Sequence, residues 1–126
     1  MAVDTEAVRT WVNRYRQAWE SNDPAAIGDL FAENARYFTE PYAKPWVGRE
    51  GIVAEWLEAR DEPGQTEFRF EVVGIDGDLG FVRGWTRYLD PPPREYSNLW
   101  TVRLDDDGRC TEFVEWWMRH GNEASD

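Results

Sequence analysis

Four strand-forming stretches follow one another through the second half of the chain. Each stretch is rich in aromatic or β-branched residues, and their ranges are 67–75, 79–89, 95–104 and 109–119. Short segments with turn-forming Asp, Gly and Pro separate them, at 76–78, 90–93 and 105–108. Consecutive strands with short links form an antiparallel meander, whose apolar face must be covered by another layer.

The first half of the chain supplies that layer as helices. Apolar residues between Asp4 and Asn22 recur at the spacing of one helical stripe, which consists of Val8, Trp11, Val12, Tyr15, Ala18 and Trp19. Asp23 can cap a second helix that has Pro24 in its first turn and places Ile27, Leu30 and Phe31 toward the core.

A short strand at 35–39 and a third helix from Arg49 to about Asp61 complete the first half. Helices gathered before a run of strands predict an α+β fold in which the helices cover one face of the sheet. At 126 residues the chain predicts a single domain, 1–126, with a core of about residues 4–120.

Charge and composition exclude several classes of partner. The 25 acidic and 14 basic side chains give a formal net charge of −11, which disfavours nucleic acid and anionic membrane surfaces as partners. With one cysteine, Cys110, and one histidine, His120, we expect no internal disulfide, no metal site and no cofactor. The N-terminus does not resemble a secretion signal, so we expect a soluble cytoplasmic protein.

Aromatic residues are unusually frequent. Eight Trp, five Tyr and six Phe make up 15% of the chain. Many large rings that carry N–H or O–H groups are typical of a cavity or an interface, where the ring packs and the polar tip finds a partner. The composition therefore favours a pocket for a small apolar or aromatic molecule.

The loop FTEPYAKPW, residues 38–46, places Glu40 among aromatic residues and directly before a proline, which keeps it out of helical geometry. Glu40 is either a pocket acid, or a loop acid that is solvated or paired with Lys44 or Arg36. The same question arises for Glu115, whose alternative role is a buried ion pair with Arg36 or Arg87.

Strand periodicity assigns some faces and leaves others open. Tyr96, Asn98 and Trp100 share one face of their strand, which we expect to meet the helices. The last strand carries an acid and a tryptophan on each face, so periodicity alone does not choose between its faces. Apolar residues on both faces suggest a second contact on the outer side of the sheet, such as a homodimer.

The order of helices and strands resembles the NTF2-like superfamily, in particular its SnoaL-like and ketosteroid isomerase branches. The resemblance extends from about Val8 to Met118 and is carried by the segments NRYRQAWESNDPAAIGDLFAENARY, WVGREGI and VRLDDDGRCTEF. It implies a cone-shaped barrel of three N-terminal helices on a curved, mainly antiparallel sheet. It also implies an apolar pocket between the two layers and, frequently, a dimer through the outer sheet face.

The resemblance also implies roles for individual residues. Tyr15 is similar to the isomerase tyrosine that donates a hydrogen bond to a developing oxyanion, and Glu40 resembles that family's proton-shuttling acid before proline. The isomerase's second oxyanion donor, an acid, is replaced by Trp100, which disfavours steroid isomerisation. Aligning the final turn places Phe113, Glu115 and Trp117 inside the cone, where Glu115 resembles the acid of SnoaL-like cyclases and related epoxide hydrolases.

Two functions remain open at this stage. In the first, the protein is a cofactor-independent isomerase, cyclase or hydrolase that acts on a small apolar metabolite. Its catalytic residues would be Tyr15, Glu40 and Glu115. In the second, it is a non-catalytic ligand-binding protein or a dimeric accessory protein, and Tyr15 is a core phenol. The candidate ligand-binding residues for both are Trp19, Tyr42, Trp46, Trp56, Asn98, Trp100, Phe113 and Trp117.

Overall fold

The computed structural model describes residues 3–60 and 64–121 and contains helices and strands in the predicted order. Its helices are α1 (Thr5–Ser21), α2 (Pro24–Gly28) and α3 (Arg49–Glu58). Its strands are β1 (Phe31–Phe38), β2 (Trp46–Val47), β3 (Thr66–Asp76), β4 (Leu79–Tyr88), β5 (Arg94–Leu104) and β6 (Cys110–Arg119). Within the described residues no helix is long and apolar enough to cross a membrane.

Helix α1 begins and ends where its capping residues predict. The Asp4 carboxylate accepts a hydrogen bond from the Ala7 N–H at 2.8 Å, and Asn22 adopts the left-handed conformation with φ of 52°. The predicted apolar stripe is buried from Val8 to Ala18. The Trp11 indole N–H donates to the Leu30 carbonyl at 2.9 Å, which fixes α1 against the segment that follows α2.

The predicted second helix is too long and the predicted first strand too short. Helix α2 ends at Gly28, and β1 starts at Phe31 rather than at residue 35. The spacing of Ile27, Leu30 and Phe31 fits a helix, but Phe31 pairs with Cys110 of β6, and the Cys110 N–H donates to the Leu30 carbonyl at 2.8 Å. Long-range strand pairing therefore overrides the local helical pattern. Helix α3 ends at Glu58, and the predicted end at Asp61 lies outside the described residues.

The six strands form one mixed sheet in the order β2-β1-β6-β5-β4-β3. Strands β3 to β6 are the antiparallel meander that the turn sequences predict, while β1 lies parallel to β6. The described part of the chain is therefore α+β, with three helices and a six-stranded mixed sheet. The β1–β6 pairing brings Tyr37 next to Phe113, so residues from both ends of the chain share one inner face.

Two glycines allow close contacts on that inner face. A side-chain Cβ at Gly80 would lie 2.7 Å from Val8 Cγ2, so glycine is what lets α1 approach β4. A Cβ at Gly84 would lie 2.8 Å from Phe68 Cε1. The absence of that atom lets the Phe68 ring cover β4 and stack on Trp100, with ring centroids 5.1 Å apart.

Aromatic rings fill the space between α1 and the sheet. Phe113 is fully buried at their centre, and its ring stacks on Tyr15 and Tyr37 at centroid distances of 5.7 and 4.5 Å. Trp100 packs edge-on against Phe113 at 5.0 Å. Part of the aromatic content thus forms a core, and the rings beyond Phe113 surround an opening.

Candidate functional site

A cavity of about 360 Å³ lies between the helices and the inner face of the sheet. Its walls come from α1, from β1 and β2, from the end of α3, and from β4, β5 and β6. Among the described lining residues, Glu115 is the only acid and Arg60 the only base. The cavity is otherwise walled by aromatic rings and small polar groups, as small-molecule sites commonly are.

Glu115 reaches the cavity from β6 and is the last acceptor in a chain of hydrogen bonds. The Thr86 hydroxyl on β4 donates to Asn98 Oδ1 at 2.7 Å, and Asn98 Nδ2 on β5 donates to Glu115 Oε2 at 2.5 Å. Thr86 and Asn98 are buried, at 3% and 8% exposure. Three neighbouring strands therefore contribute one residue each to a continuous polar network.

Burial raises the pKa of the Glu115 carboxyl above its ordinary value. The indole N–H of Trp100 and the Asn98 amide act in the opposite direction and lower the pKa, because both stabilise the carboxylate. The Trp100 N–H is buried and does not reach hydrogen-bond geometry with any acceptor in the described residues. The net effect is a partly buried acid whose pKa is higher than that of an exposed glutamate.

Neither of the arginines considered as partners of Glu115 pairs with it. Arg36 forms an ion pair with Glu112 at 2.5 Å, and Arg87 lies 3.8 Å from Glu67. In this geometry the Asn98 amide, a neutral donor, holds Glu115 and leaves it able to accept a proton.

Tyr15 and Tyr37 bring a pair of hydroxyl groups to the wall of the same cavity. Their oxygens are 2.8 Å apart. Burial raises the pKa of both phenols, and the nearby Glu115 carboxylate raises them further, so both stay protonated at neutral pH. Two hydroxyls that share one hydrogen bond retain a second proton, which is available to an oxygen atom in the cavity.

The structure brings most of the predicted site residues together around this cavity. Those that line it are Tyr15, Trp19, Trp46, Trp56, Asn98, Trp100, Glu115 and Trp117. Phe113 lies behind the wall in the core, and Trp117, at 50% exposure, lies at its open side. Glu40 is exposed in a turn and Tyr42 is fully exposed, so neither residue lines the cavity.

Several lining residues had not been singled out from the sequence. Tyr37, Thr86 and Tyr88 line the cavity together with Arg60, which follows α3. Ala35 and Tyr37 are two residues apart in β1 and therefore share one face, so strand periodicity could have predicted an inward phenol. Thr86 carried no such signal, because a threonine in a strand is ordinary and only the pairing of β4 with β5 places it near Asn98.

A larger open cleft of about 770 Å³ adjoins the cavity and shares Trp19, Thr86 and Tyr96 with it. The groups whose pKa is displaced, Tyr15, Tyr37, Cys110 and Glu115, do not line that cleft. We therefore assign the candidate site to the smaller cavity. Within the described part of the chain, no group of three or more His, Cys, Asp or Glu side chains is placed to hold a metal ion.

A sequence model of the SnoaL-like domain matches residues 12–113, which include the C-terminal part of α1 and most of the sheet. The chain belongs to the SnoaL-like family. Within this SnoaL-like protein the matched region contains Tyr15 and Asn98 but ends before Glu115. No curated protein matches the sequence significantly.

Solved structures of similar fold include enzymes of several kinds. The epoxide hydrolase/cyclase-like enzyme SalBIII, of pyran ring formation in salinomycin, is 18% identical with a TM-score of 0.72, over 91% of this chain and 93% of that one. A ketosteroid isomerase-like protein from Erwinia carotovora atroseptica is 16% identical with a TM-score of 0.66, over 90% and 95%. An LEH-like epoxide hydrolase from M. tuberculosis is 16% identical with a TM-score of 0.68, over 90% and 84%. At these identities the similarity shows the fold of this SnoaL-like chain.

Proposed function

We propose that the protein is a cofactor-independent acid/base enzyme, an isomerase, cyclase or hydrolase, that acts on a small apolar metabolite. The observation that carries this proposal is Glu115, a partly buried carboxyl group with a raised pKa that lines the same aromatic cavity as a pair of hydroxyl groups. A base of raised pKa and a hydrogen-bond donor in one cavity are what proton transfer next to a carbonyl or epoxide requires.

In the proposed mechanism, the Glu115 carboxylate removes a proton from a carbon atom or from a water molecule. Negative charge then develops on the substrate oxygen, and the outward proton of the Tyr15–Tyr37 pair stabilises it. The low polarity of the aromatic walls strengthens both interactions. After the chemical step, protonated Glu115 returns its proton to the product. Glu40 has no part in this mechanism because its side chain is exposed.

The cavity restricts the substrate to a small molecule. Its volume of about 360 Å³ is at the lower end of the range for small-molecule pockets. Trp46 stacks on Tyr37 at a centroid distance of 4.7 Å with an interplanar angle of 9°, so this part of the wall is aromatic and closely packed. The enzymes named in the similar structures support a carbonyl-bearing or epoxide substrate.

The pH dependence of turnover tests the proposal. Suitable probes are 3-cyclohexenone, whose conversion to the conjugated enone is followed by ultraviolet absorbance, and styrene oxide, whose hydrolysis is followed by chromatography. Because Glu115 must be ionised to act as a base, kcat is expected to fall about tenfold per pH unit below its raised pKa. A rate that is independent of pH between about 4 and 8, or no turnover of either probe, would contradict the enzyme proposal.

The second candidate is a non-catalytic binding protein. The satisfied Tyr15–Tyr37 pair and the many ring contacts around it favour this alternative, because a core-like wall needs no chemistry to explain it. Binding of 2-naphthol, followed by tryptophan fluorescence, with no turnover of either probe would support it. In that case binding should survive substitution of Glu115.

We also propose that the chain is a single cone-shaped domain that forms a homodimer through the outer face of β5 and β6. Leu99 and Trp116 are directly paired there and 40% and 41% exposed, and Met118 is 71% exposed. On the neighbouring strand Trp85 is covered by Arg69, whose guanidinium lies 4.6 Å from the ring centroid. The uncovered apolar surface is therefore concentrated on β5 and β6.

Trp116→Glu together with Met118→Glu is expected to convert a dimer into a monomer, because each substitution would bury a charge without a partner. Light scattering coupled to size-exclusion chromatography measures the mass directly. Val73→Glu is the control, since Val73 is 49% exposed on β3, away from the patch. A wild-type mass equal to one chain at micromolar concentration would contradict the dimer.

A further inference from the structure

Thr86 lies at the start of the hydrogen-bond chain that ends on Glu115. It is on β4, paired with Tyr96 of β5, and its side chain is almost completely buried. Its hydroxyl donates to Asn98 Oδ1 at 2.7 Å, and the Asn98 amide nitrogen donates to Glu115. All donors in the chain thus point the same way, toward the carboxylate.

The direction of this chain depends on the orientation of the Asn98 amide. An ionised carboxylate only accepts hydrogen bonds, so the amide must present its NH₂ group to Glu115 and its oxygen to Thr86. A donor at position 86 satisfies the amide oxygen in that orientation. Without that donor, the amide oxygen of Asn98 is a buried acceptor with no hydrogen bond. The amide can then rotate so that its oxygen accepts a hydrogen bond from protonated Glu115.

We propose that Thr86 is a positioning residue of the acid/base site, whose hydroxyl holds the Asn98 amide so that Glu115 is kept as a proton acceptor. The role of Thr86 in catalysis rests on the proposed function, in which Glu115 is the base. The hydrogen bonds from which that role is inferred do not depend on any substrate. Thr86 acts through Asn98, and Asn98 is the residue that touches the carboxylate.

Other groups around Glu115 are not expected to change its titration midpoint when Thr86 is substituted. The phenols that face the cavity come from α1, β1, β4 and β5, and they are Tyr15, Tyr37, Tyr88 and Tyr96. Arg60 follows α3, and Trp100 and Trp117 add neutral rings. Burial raises the pKa of Tyr15 and Tyr37, so both phenols stay uncharged at neutral pH. A change in the Glu115 midpoint on substitution of Thr86 would therefore report on the network.

The test compares Thr86→Val, which keeps the shape but removes the hydroxyl, with Thr86→Ser, which keeps the hydroxyl. The side-chain carboxyl carbon of Glu115 is followed by NMR against pH in protein labelled with ¹³C-glutamate, and the signal absent from Glu115→Gln identifies it. Thr86→Val is expected to raise the midpoint by about one pH unit, and Thr86→Ser to leave it near the wild-type value.

An unchanged or lowered midpoint in folded Thr86→Val overturns the proposal. If that variant does not fold, the wild-type protein is tested instead. The NMR chemical shifts of the Asn98 side-chain amide protons should change with pH at the same midpoint as Glu115. A different midpoint, or no change, also overturns the proposal. The kinetic arm separates the two proposals. If Glu115→Gln abolishes turnover while Thr86→Val leaves the midpoint and pH profile unchanged, only the role of Thr86 fails. If the midpoint moves but no probe is turned over, only the enzyme proposal fails.

Discussion

Glu115→Gln is expected to lower kcat for whichever probe reaction the protein catalyses by about 10²–10⁴-fold, the usual contribution of a general base. Glutamine preserves the size of the side chain and can still accept a hydrogen bond from Asn98, but it cannot take up a proton. The raised pKa of Glu115 means that the folded protein favours the protonated form, so this group's stabilising contribution is lost as pH rises through that pKa. A neutral glutamine avoids this loss, and the variant should remain folded at neutral pH.

The matched control for this substitution is Glu112→Gln, on the same strand. Glu112 pairs with Arg36 and does not line the cavity. Removing this acid is expected to change kcat by less than about twofold, because Glu112 does not line the cavity. The fold should also be little affected, because exposed ion pairs contribute little to stability. Steady-state kinetics at several pH values measure both variants, and 2-naphthol binding by fluorescence reports whether the cavity is intact. Equal losses of kcat in the two variants would contradict the assignment of Glu115 as the base.

The helices and strands could be predicted from the sequence wherever a local sequence pattern was enough to define the element. The meander could be predicted because Asp-Gly and Pro-rich turns divide four strands of near-equal length, and α1 because its caps and apolar stripe agree. The corner between α2 and β1 could not. Leu30 and Phe31 fit a helix locally, and only pairing of Phe31 with Cys110, far along the chain, makes Phe31 the first residue of a strand.

The site was accessible in part, for a related reason. Inward positions on β5 follow from alternation, so Asn98 and Trp100 were found. For β6 alternation left two faces open, and the family resemblance favoured the one that carries Glu115. Glu40 was a candidate because prolines make its loop rigid, but rigidity does not determine direction, and the side chain is exposed. Thr86 could not be identified from the sequence, because its contact with Asn98 depends on the register in which β4 pairs with β5.

Phe113→Ala is expected to produce the largest loss of stability, about 3–5 kcal/mol in the free energy of unfolding, as is typical when a buried phenylalanine is truncated. Phe113 has no exposed surface and contacts rings from α1, β1 and β5. Its removal would leave a void among rigid rings that cannot close without moving a helix. Equilibrium urea unfolding gives the midpoint and the slope needed for this comparison.

Two further variants show whether the effect arises from the core. Phe113→Leu retains most of the buried surface and is expected to lose less, about 1–2 kcal/mol, whereas Trp117→Ala, at a half-exposed position, should cost about 1 kcal/mol. Because Tyr15 and Tyr37 both stack on Phe113, Phe113→Leu should also loosen their hydroxyl pair and lower turnover while leaving Glu115 in place. A Phe113→Ala loss no larger than that of Trp117→Ala would mean that the rings behind the cavity rearrange freely, and such a wall could not hold the hydroxyl pair in one position in the cavity.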